Sequence, residues 1–207
     1  MKKNGLPTVV LPKGRLYQGL YDLYQSKGIN LPPPNTRQYY WEKYFDDCNL
    51  FIAKPKAVPG LLYSKLAEFG FCGQDIVKNT DYHCDLVSIY DTGLNKVRMV
   101  LASVLEEKDL FPLERPLIVA TEFDVVAGRY LTDLGIPHYI LPTGGSTEGY
   151  PQIGADIIID IVETGETLKA NGLEVRDLLF TTSTRLFSHK DVCESDYPFM
   201  LQQLFQS

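Results

Sequence analysis

Ala155–Leu173, ADIIIDIVETGETLKANGL, joins an apolar strand to a short helix within a few residues, and this order indicates the type of fold. Its first part, Ile157–Val162, is apolar except at Asp160, which is typical of a strand buried on both faces of a parallel sheet. Parallel strands need crossover connections, and strand and helix patterns alternate along the chain from Thr8–Leu11 onward. The sequence therefore predicts an α/β protein.

A turn, Glu163–Thr167, follows this strand, with Thr164 placed to cap a helix over residues 166–171 that Gly172 would end. A strand, a turn with hydroxyl groups and a glycine, and a helix N-terminus together present backbone N–H groups to an anion. The pattern is compatible with a phosphate cradle. The alternative, which the local chemistry alone favours, is a structural corner whose threonines only cap a helix.

Two acids, Asp160 and Glu163, flank the turn and would repel a bare phosphate ion. They suit a ribose phosphate, because carboxylates accept hydrogen bonds from its 2- and 3-hydroxyls and Mg²⁺ offsets the remaining repulsion. If the turn binds an anion, its acids therefore indicate a sugar phosphate.

The composition bounds the class of protein. The chain has 207 residues, of which 44% are hydrophobic and 22% charged, enough for one compact unit or two small lobes. A formal net charge of −6 argues against nonspecific nucleic-acid binding and against an anionic membrane. The cysteines and histidines lack metal-ligand spacing, so no metal site follows from a direct motif. The N-terminal apolar run is too short for a signal peptide or membrane span, which predicts the cytoplasm.

Basic residues follow two other predicted strands. Lys13 and Arg15 come after Thr8–Leu11, and Lys54 comes after the strand at residues 49–53. Cations at the carboxyl ends of such strands suit a polyphosphate, and the alternative is solvated surface charge. The aromatic run at Tyr39–Tyr44 could stack on a purine, although packing is the favoured interpretation.

Two lobes account for the order of these patterns. Lobe I is predicted at residues 1–90 with 184–207, and lobe II, which carries the phosphate-type turn, at residues 91–183. Leu178–Phe187 predicts one long strand that returns to lobe I, and Pro198–Phe205 predicts a terminal helix. A cleft between the lobes would be lined by strand ends from both.

Four motifs in order carry a resemblance to a known family. They are LPKGRL at Leu11–Leu16, FGFCGQD at Phe69–Asp75, GGSTE at Gly144–Glu148 and DIVETGETLKANGL at Asp160–Leu173. Together they resemble the short form of the ATP phosphoribosyltransferases, the first enzymes of histidine biosynthesis, over nearly the whole chain. The last motif is similar to the family's phosphoribosyl-pyrophosphate loop nearly letter for letter.

The resemblance implies two α/β lobes like those of periplasmic binding proteins, with a cleft between them. It implies that N1 of the adenine of ATP displaces pyrophosphate from phosphoribosyl pyrophosphate, with Mg²⁺ as cofactor. It also implies a homodimer of catalytic chains and a partner, a regulatory subunit that resembles histidyl-tRNA synthetase, because the chain stops at Ser207 without the regulatory domain of long-form members.

The resemblance also implies roles for individual residues. The implied catalytic residues are Lys13, Arg15 and Glu148; the implied phosphoribosyl-pyrophosphate-binding residues are Asp160, Glu163, Thr164, Gly165, Glu166 and Thr167; and the implied ATP-binding residues are Arg15, Lys54 and Asp91.

Several positions depart from the family pattern, and three of them bear on the acceptor. Lys54 stands where the family has arginine, Ala57 replaces an acid, and Glu122 brings an acid into a segment that usually has none. These departures lie mainly on the side expected for ATP. Two alternatives therefore stay open: a phosphoribosyltransferase with another acceptor, and a two-lobed ligand-binding module without catalysis.

Overall fold

A computed structural model describes residues 5–44, 47–104, 115–198 and 202. In chain order its strands and α-helices are β1 (Thr8–Pro12), α1 (Arg15–Ser26), β2 (Tyr40–Tyr44), β3 (Cys48–Ala53), α2 (Val58–Tyr63), β4 (Phe69–Gly73), α3 (Gln74–Lys78), β5 (Leu86–Asp91), β6 (Val97–Val104), β7 (Leu117–Thr121), α4 (Asp124–Asp133), β8 (His138–Pro142), β9 (Ile157–Val162), α5 (Glu166–Ala170), β10 (Leu173–Thr182) and β11 (Thr184–His189). Strands and helices alternate through most of the chain, as the α/β prediction requires.

The chain divides into two compact units. Unit 1 comprises Met1–Val77, Tyr82–Asn95 and Ser183–Ser207, and unit 2 comprises Lys78–Asp81 and Lys96–Thr182. These boundaries differ from the predicted ones, since residues 91–95 and Ser183 fall in unit 1 and Lys78–Asp81 falls in unit 2. The reason is hydrogen bonding: Thr92 donates its amide to the carbonyl of Thr184, and the Asn95 amide group donates to the Thr184 hydroxyl.

Unit 1 is built on a six-stranded sheet with the order β2-β3-β1-β4-β11-β5. Strands β3, β1 and β4 are parallel, so their carboxyl ends meet at one edge, and β11 runs antiparallel to β4 and begins at that edge. Helix α1 covers one face with Tyr17, Leu20 and Tyr24, which are buried at helical spacing. The Tyr24 ring meets Phe71 of β4 edge-on, with 6.1 Å between ring centroids. This packing fixes the start of α1, and therefore Arg15, beside the end of β1.

Unit 2 is built on a five-stranded sheet with the order β10-β6-β9-β7-β8. Strands β9, β7 and β8 are parallel, and β6 is antiparallel to β9. The three parallel strands therefore end where β6 begins. One face packs against α4 through Phe123, Val126 and Leu131, and the other face packs against Leu168 of α5. The run of isoleucines in β9 is buried on both faces, as its sequence predicts.

A short segment from the end of α3, Lys78–Asp81, completes unit 2 by capping α4. The Asn79 side-chain oxygen accepts hydrogen bonds from the amides of Val125 and Val126 at 3.0 and 3.1 Å. It thereby satisfies two of the amides that a helix N-terminus leaves open. This cap holds the segment that follows β7, which contains Glu122, in place.

The predicted return strand, Leu178–Phe187, is wrong as a single element. The chain forms β10 of unit 2 up to Thr182, passes through Ser183, and then forms β11 of unit 1. Two buried polar hydroxyl residues, Ser183 and Thr184, mark the change of sheet. Most of the predicted terminal helix, Pro198–Phe205, lies outside the described residues. No helix within the described ranges is long and apolar enough to cross a membrane.

Candidate functional site

The loop between β9 and α5 has the backbone of a tight strand-to-helix turn. Gly165 is the residue that precedes α5, and its φ of 87° lies in the left-handed region that favours glycine. A side chain at this position would lie 3.8 Å from Cγ1 of Val162, so the turn folds back over the end of β9. Leu168 anchors α5 in the core. The amides of the turn are therefore held by a rigid strand and a packed helix.

The predicted cap at Thr164 needs a correction, because the residue at the helix boundary is Gly165, which has no side chain to cap with. The Thr164 hydroxyl accepts a long hydrogen bond, 3.4 Å, from the Glu166 amide. Thr164, Glu166 and Thr167 are exposed, as is Glu163. These four side chains, and the partly exposed backbone at Gly165, are therefore accessible to a ligand.

Asp160 lies within β9, half-buried, two residues before the end of the strand. Its Oδ1 accepts a hydrogen bond from the Ile161 amide at 2.7 Å. Burial raises the pKa of Asp160 to about 6; hydrogen bonds from the Ile161 amide and the Thr147 hydroxyl oppose the shift, and the nearby charges of Glu148 and Glu122 add to it. The carboxylate therefore changes charge close to physiological pH.

The Thr147 hydroxyl supports this acid, and the Thr121 hydroxyl supports the backbone of the strand that carries it. Thr147 is fully buried, and its hydroxyl lies 3.0 Å from the hydroxyl of Thr143, so one hydroxyl chain leads to Asp160. Thr121, at the end of β7, donates to the Ile159 carbonyl at 2.5 Å and accepts from the Phe123 amide at 2.8 Å. Sequence reasoning missed Thr147, which contacts Asp160, and Thr121, which binds the backbone of β9. The signal for Thr147 was its position in the GGSTE motif, directly before Glu148.

Glu122 and Glu148 complete the acidic side of this edge. Glu122 follows β7, and a side chain built on Gly145 would lie 3.4 Å from its Oε1. Glu148 lies in a 3-10 helical turn over Thr147–Ile153 that follows β8. The carboxyl ends of three parallel strands thus bring together Asp160, Glu148 and the turn at residues 163–167, all of which the sequence singled out.

The corresponding edge of unit 1 is basic. The Lys13 amide donates to the Ala53 carbonyl at 2.8 Å, which places Lys13 beside Lys54 at the ends of β1 and β3. The Lys13 ammonium lies 3.8 Å from the centroid of the Tyr39 ring. Arg15 is the first residue of α1 and is exposed, as is Lys54. This edge can neutralise an anionic ligand.

Asp91, predicted to bind ATP, lies at the end of β5 on the same edge of unit 1. Its Oδ1 accepts hydrogen bonds from the Gly93 amide at 2.9 Å and the Ser183 hydroxyl at 2.6 Å. Its Oδ2 pairs with the guanidinium of Arg185 at 2.9 Å. The carboxylate therefore holds the end of β5 against β11, which gives it a structural task beside any contact with a ligand.

The acids of the described residues do not form a cluster of three or more His, Cys, Asp or Glu side chains suited to a metal ion. Magnesium prefers near-octahedral oxygen ligands and keeps several waters, and it is commonly bound by one or two carboxylates together with substrate phosphates. The acids at the edge of unit 2, Asp160, Glu148 and Glu122, are oxygen ligands of this kind.

Two α/β units carry charged groups at the carboxyl edges of their parallel strands, and one has a strand–glycine–helix loop beside a half-buried acid. This combination is typical of an α/β protein that binds its ligand at the carboxyl ends of its parallel strands. The family described as HisG, ATP phosphoribosyltransferase, matches residues 54–207. The chain belongs to the ATP phosphoribosyltransferase family.

Individual relatives agree with this assignment. The chain is 33% identical to the ATP phosphoribosyltransferase of Methanopyrus kandleri over 91% of its own length and 67% of that protein. It is 32% identical to that of Thermoanaerobacter sp. strain X514, over 88% of this chain and 85% of the relative. Among solved structures it resembles the ATP phosphoribosyl transferase (HisG:HisZ) complex from Thermotoga maritima, with a TM-score of 0.81, 29% identity, and coverage of 97% and 98% of the two chains. This likeness confirms the predicted fold class of two α/β lobes.

Proposed function

We propose that this chain is the catalytic subunit of an ATP phosphoribosyltransferase, which condenses ATP with phosphoribosyl pyrophosphate in the first step of histidine biosynthesis. The observation that carries the proposal is the loop at residues 163–167, which combines an accessible glycine turn with Asp160 behind it. In the reaction, the bond from C1 of the ribose to the pyrophosphate oxygen breaks, and a bond from C1 to N1 of adenine forms. The products are N1-(5-phosphoribosyl)-ATP and pyrophosphate.

The residues of unit 2 suit the sugar end of the donor. Backbone amides of the turn would bind the 5-phosphate, with the hydroxyls of Thr164 and Thr167 as further donors. The Asp160 carboxylate would accept a hydrogen bond from a ribose hydroxyl, and Thr147 keeps that carboxylate in place. As pyrophosphate leaves, positive charge develops on the ribose, and a fixed carboxylate nearby stabilises that charge. Glu148 is proposed to position the reactants.

The residues of unit 1 suit phosphate groups. Lys13, Arg15 and Lys54 would neutralise pyrophosphate or the phosphates of ATP, and Asp91 would position a polar group of the nucleotide. The family uses a divalent metal ion, and we propose Mg²⁺, which would neutralise phosphate oxygens of the donor. A cytoplasmic location is proposed as well, because ATP is available there and the four cysteines are free thiols.

The related structure from Thermotoga maritima is a complex of HisG with HisZ. We therefore propose that this chain also assembles with a regulatory subunit, one that resembles histidyl-tRNA synthetase. A homodimer of catalytic chains remains a prediction. Size-exclusion chromatography with light scattering, with and without the regulatory subunit, measures both assemblies.

The direct test is an activity assay. Purified chain, regulatory subunit, phosphoribosyl pyrophosphate, ATP and Mg²⁺ should release pyrophosphate and form an ultraviolet-absorbing product that mass spectrometry identifies as phosphoribosyl-ATP. A Thr167→Ala variant is the control for the site and should bind the donor more weakly. Absence of turnover with ATP and with every other purine acceptor would contradict the proposal.

A second candidate, transfer to an acceptor other than ATP, is favoured by one specific observation. Glu122 departs from the family pattern and lies at the same edge as Asp160, whose pKa its charge raises. An additional carboxylate here would select against an anionic acceptor. Isothermal titration calorimetry separates the candidates, because donor binding without ATP binding supports this one and binding of both supports the first.

A further inference from the structure

Arg98 is an exposed arginine at the edge of unit 2 where the loop at residues 163–167 lies. It is the second residue of β6, and it lies directly opposite Val162 of β9 and Thr181 of β10. Within the part of the chain that the structure describes, its guanidinium makes no hydrogen bond or ion pair. An exposed arginine without a partner among the described residues is available to a ligand.

The register determines the face on which Arg98 lies. Residues directly opposite each other on neighbouring strands project from the same face of a sheet. Val162, opposite Arg98, belongs to the apolar cluster that contains Leu168 of α5. Arg98 therefore projects from the face that α5 covers. The turn before α5 folds over Val162, since a side chain at Gly165 would lie 3.8 Å from its Cγ1. Arg98 thus emerges beside this turn.

The acids around the turn would repel a bound phosphate unless a nearby cation offsets their charge. Asp160 lies opposite Val100, which projects from the same face as Arg98, and Glu122 and Glu148 interact with Asp160. A phosphate at the turn would therefore face carboxylates. The other described arginines of unit 2 are engaged elsewhere: Arg115 pairs with Asp156, Arg129 binds the Lys78 carbonyl, and Arg176 pairs with Glu174.

We propose that Arg98 binds the 5-phosphate of the phosphoribosyl donor, together with the backbone amides of the loop at residues 163–167. The inference rests on the proposed function and adds a residue that sequence reasoning did not single out. A planar guanidinium can donate two parallel hydrogen bonds to two phosphate oxygens. Arg98 then selects phosphorylated over unphosphorylated sugars, and it offsets the repulsion between the phosphate and the acids.

The test compares Arg98→Gln and Arg98→Lys with the matched control Arg176→Gln, which removes the same charge from the neighbouring strand at the opposite end of the sheet. Calorimetry measures the affinity of each full-length variant for phosphoribosyl pyrophosphate with Mg²⁺, ribose 5-phosphate and pyrophosphate. Arg98→Gln should weaken the first two by about tenfold to a hundredfold and leave pyrophosphate unchanged, since charge-assisted hydrogen bonds have this strength. Arg98→Lys should fall between, because it keeps the charge and loses the fork.

Melting temperature, KM and the affinity for ribose 5-phosphate together decide the result. Melting temperatures should match the wild type for Arg98→Gln, because Arg98 has no partner in the described residues. In the assay with the regulatory subunit, KM for the donor should rise while KM for ATP stays constant. Unchanged affinity for ribose 5-phosphate, or a loss confined to pyrophosphate, would overturn the role of Arg98. If the wild type itself binds neither donor nor ribose 5-phosphate, the proposed function fails instead.

Discussion

The two sheets place very different chemistry at the same topological position. In both units, parallel strands end at one edge, where open α/β sheets bind ligands. The edge of unit 1 carries Lys13, Arg15 and Lys54, whereas the edge of unit 2 carries Asp160, Glu122 and Glu148 with buried threonine hydroxyls. The first is suited to phosphate charge and the second to sugar hydroxyls. The fold supplies the position, and the residues after each strand decide what binds there.

The two edges also use glycine differently. Gly165 begins the turn of unit 2 with φ 87° and ψ 5°, a left-handed conformation. Gly14 begins α1 of unit 1 with φ 75° and ψ −144°, a region that is essentially closed to residues with a side chain. Both turns therefore depend on glycine, but only the turn of unit 2 is proposed to bind through its backbone.

The largest expected effect follows from Gly165→Val. A β-branched residue is strained at this backbone conformation and blocks the approach of a phosphate to the amides, so donor affinity should fall about a hundredfold. The control is Gly135→Val, a left-handed glycine of unit 2 at φ 70° in the turn after α4. Both variants should lose similar melting temperature, and only Gly165→Val should lose donor binding by calorimetry. Equal donor affinity in both variants would show that the loop is only structural.

The second effect concerns the acid of unit 2. The pKa of Asp160 is raised to about 6, above its ordinary value of 3.8, so the folded protein favours the protonated form. The associated stability is fully present below about pH 3.8 and is lost as the pH rises through 6. Asp160→Asn should therefore stabilise the ligand-free protein by about 1 to 3 kcal/mol at pH 8 and leave its stability nearly unchanged at pH 4.

Denaturant unfolding of both proteins across this pH range measures the difference directly. The pairing with the wild type cancels the titration of other groups, since only residue 160 differs. The same substitution should weaken donor binding, because the amide has one acceptor oxygen in place of two and carries no negative charge. A stability difference that is constant with pH would show that Asp160 is not strained by its burial among acids.

The third effect concerns the cations of unit 1. Arg15→Gln and Lys54→Gln should each raise KM for a phosphate-bearing substrate about tenfold and reduce its dependence on salt. Lys27→Gln, near the opposite end of α1, is the matched control and should change neither. Affinity for ribose 5-phosphate should stay constant in all three variants. If one of these variants lost ribose 5-phosphate binding, the proposal that unit 2 alone binds the sugar end of the donor would be wrong.

The sequence predicted the parts of this arrangement that depend on local pattern. The apolar run of β9 and the glycine at position 165 specify strand, turn and helix without reference to the rest of the chain. The contact between Thr147 and Asp160 could not be predicted, because it depends on how the 3-10 turn after β8 packs against β9. Nor could the change of sheet at Ser183, since the strand pattern continues through it without a glycine or proline.

Arg98 shows a further limit of sequence reading. Basic residues in glycine turns predict an anion site, whereas an arginine inside a strand pattern predicts only a side chain exposed to solvent. Its importance depends on the register between β6 and β9, which places it opposite Val162. Register between strands that are 60 residues apart follows from tertiary packing and leaves no local signal.

The smallest expected effect compares the acids of the two edges directly. Asp91 of unit 1 is paired with Arg185 and accepts from Ser183 and Gly93, whereas Asp160 lies among other acids. Asp91→Asn should therefore destabilise the protein by about 1 kcal/mol, opposite in sign to Asp160→Asn, because the ion pair is lost and the two hydrogen bonds can persist. A double-mutant cycle with Arg185→Gln, measured by denaturant unfolding, isolates the energy of the pair. If Asp91→Asn stabilised the protein as well, both edges would be strained acidic sites, and the contrast between an ion-paired acid and an acid buried among other acids would not hold.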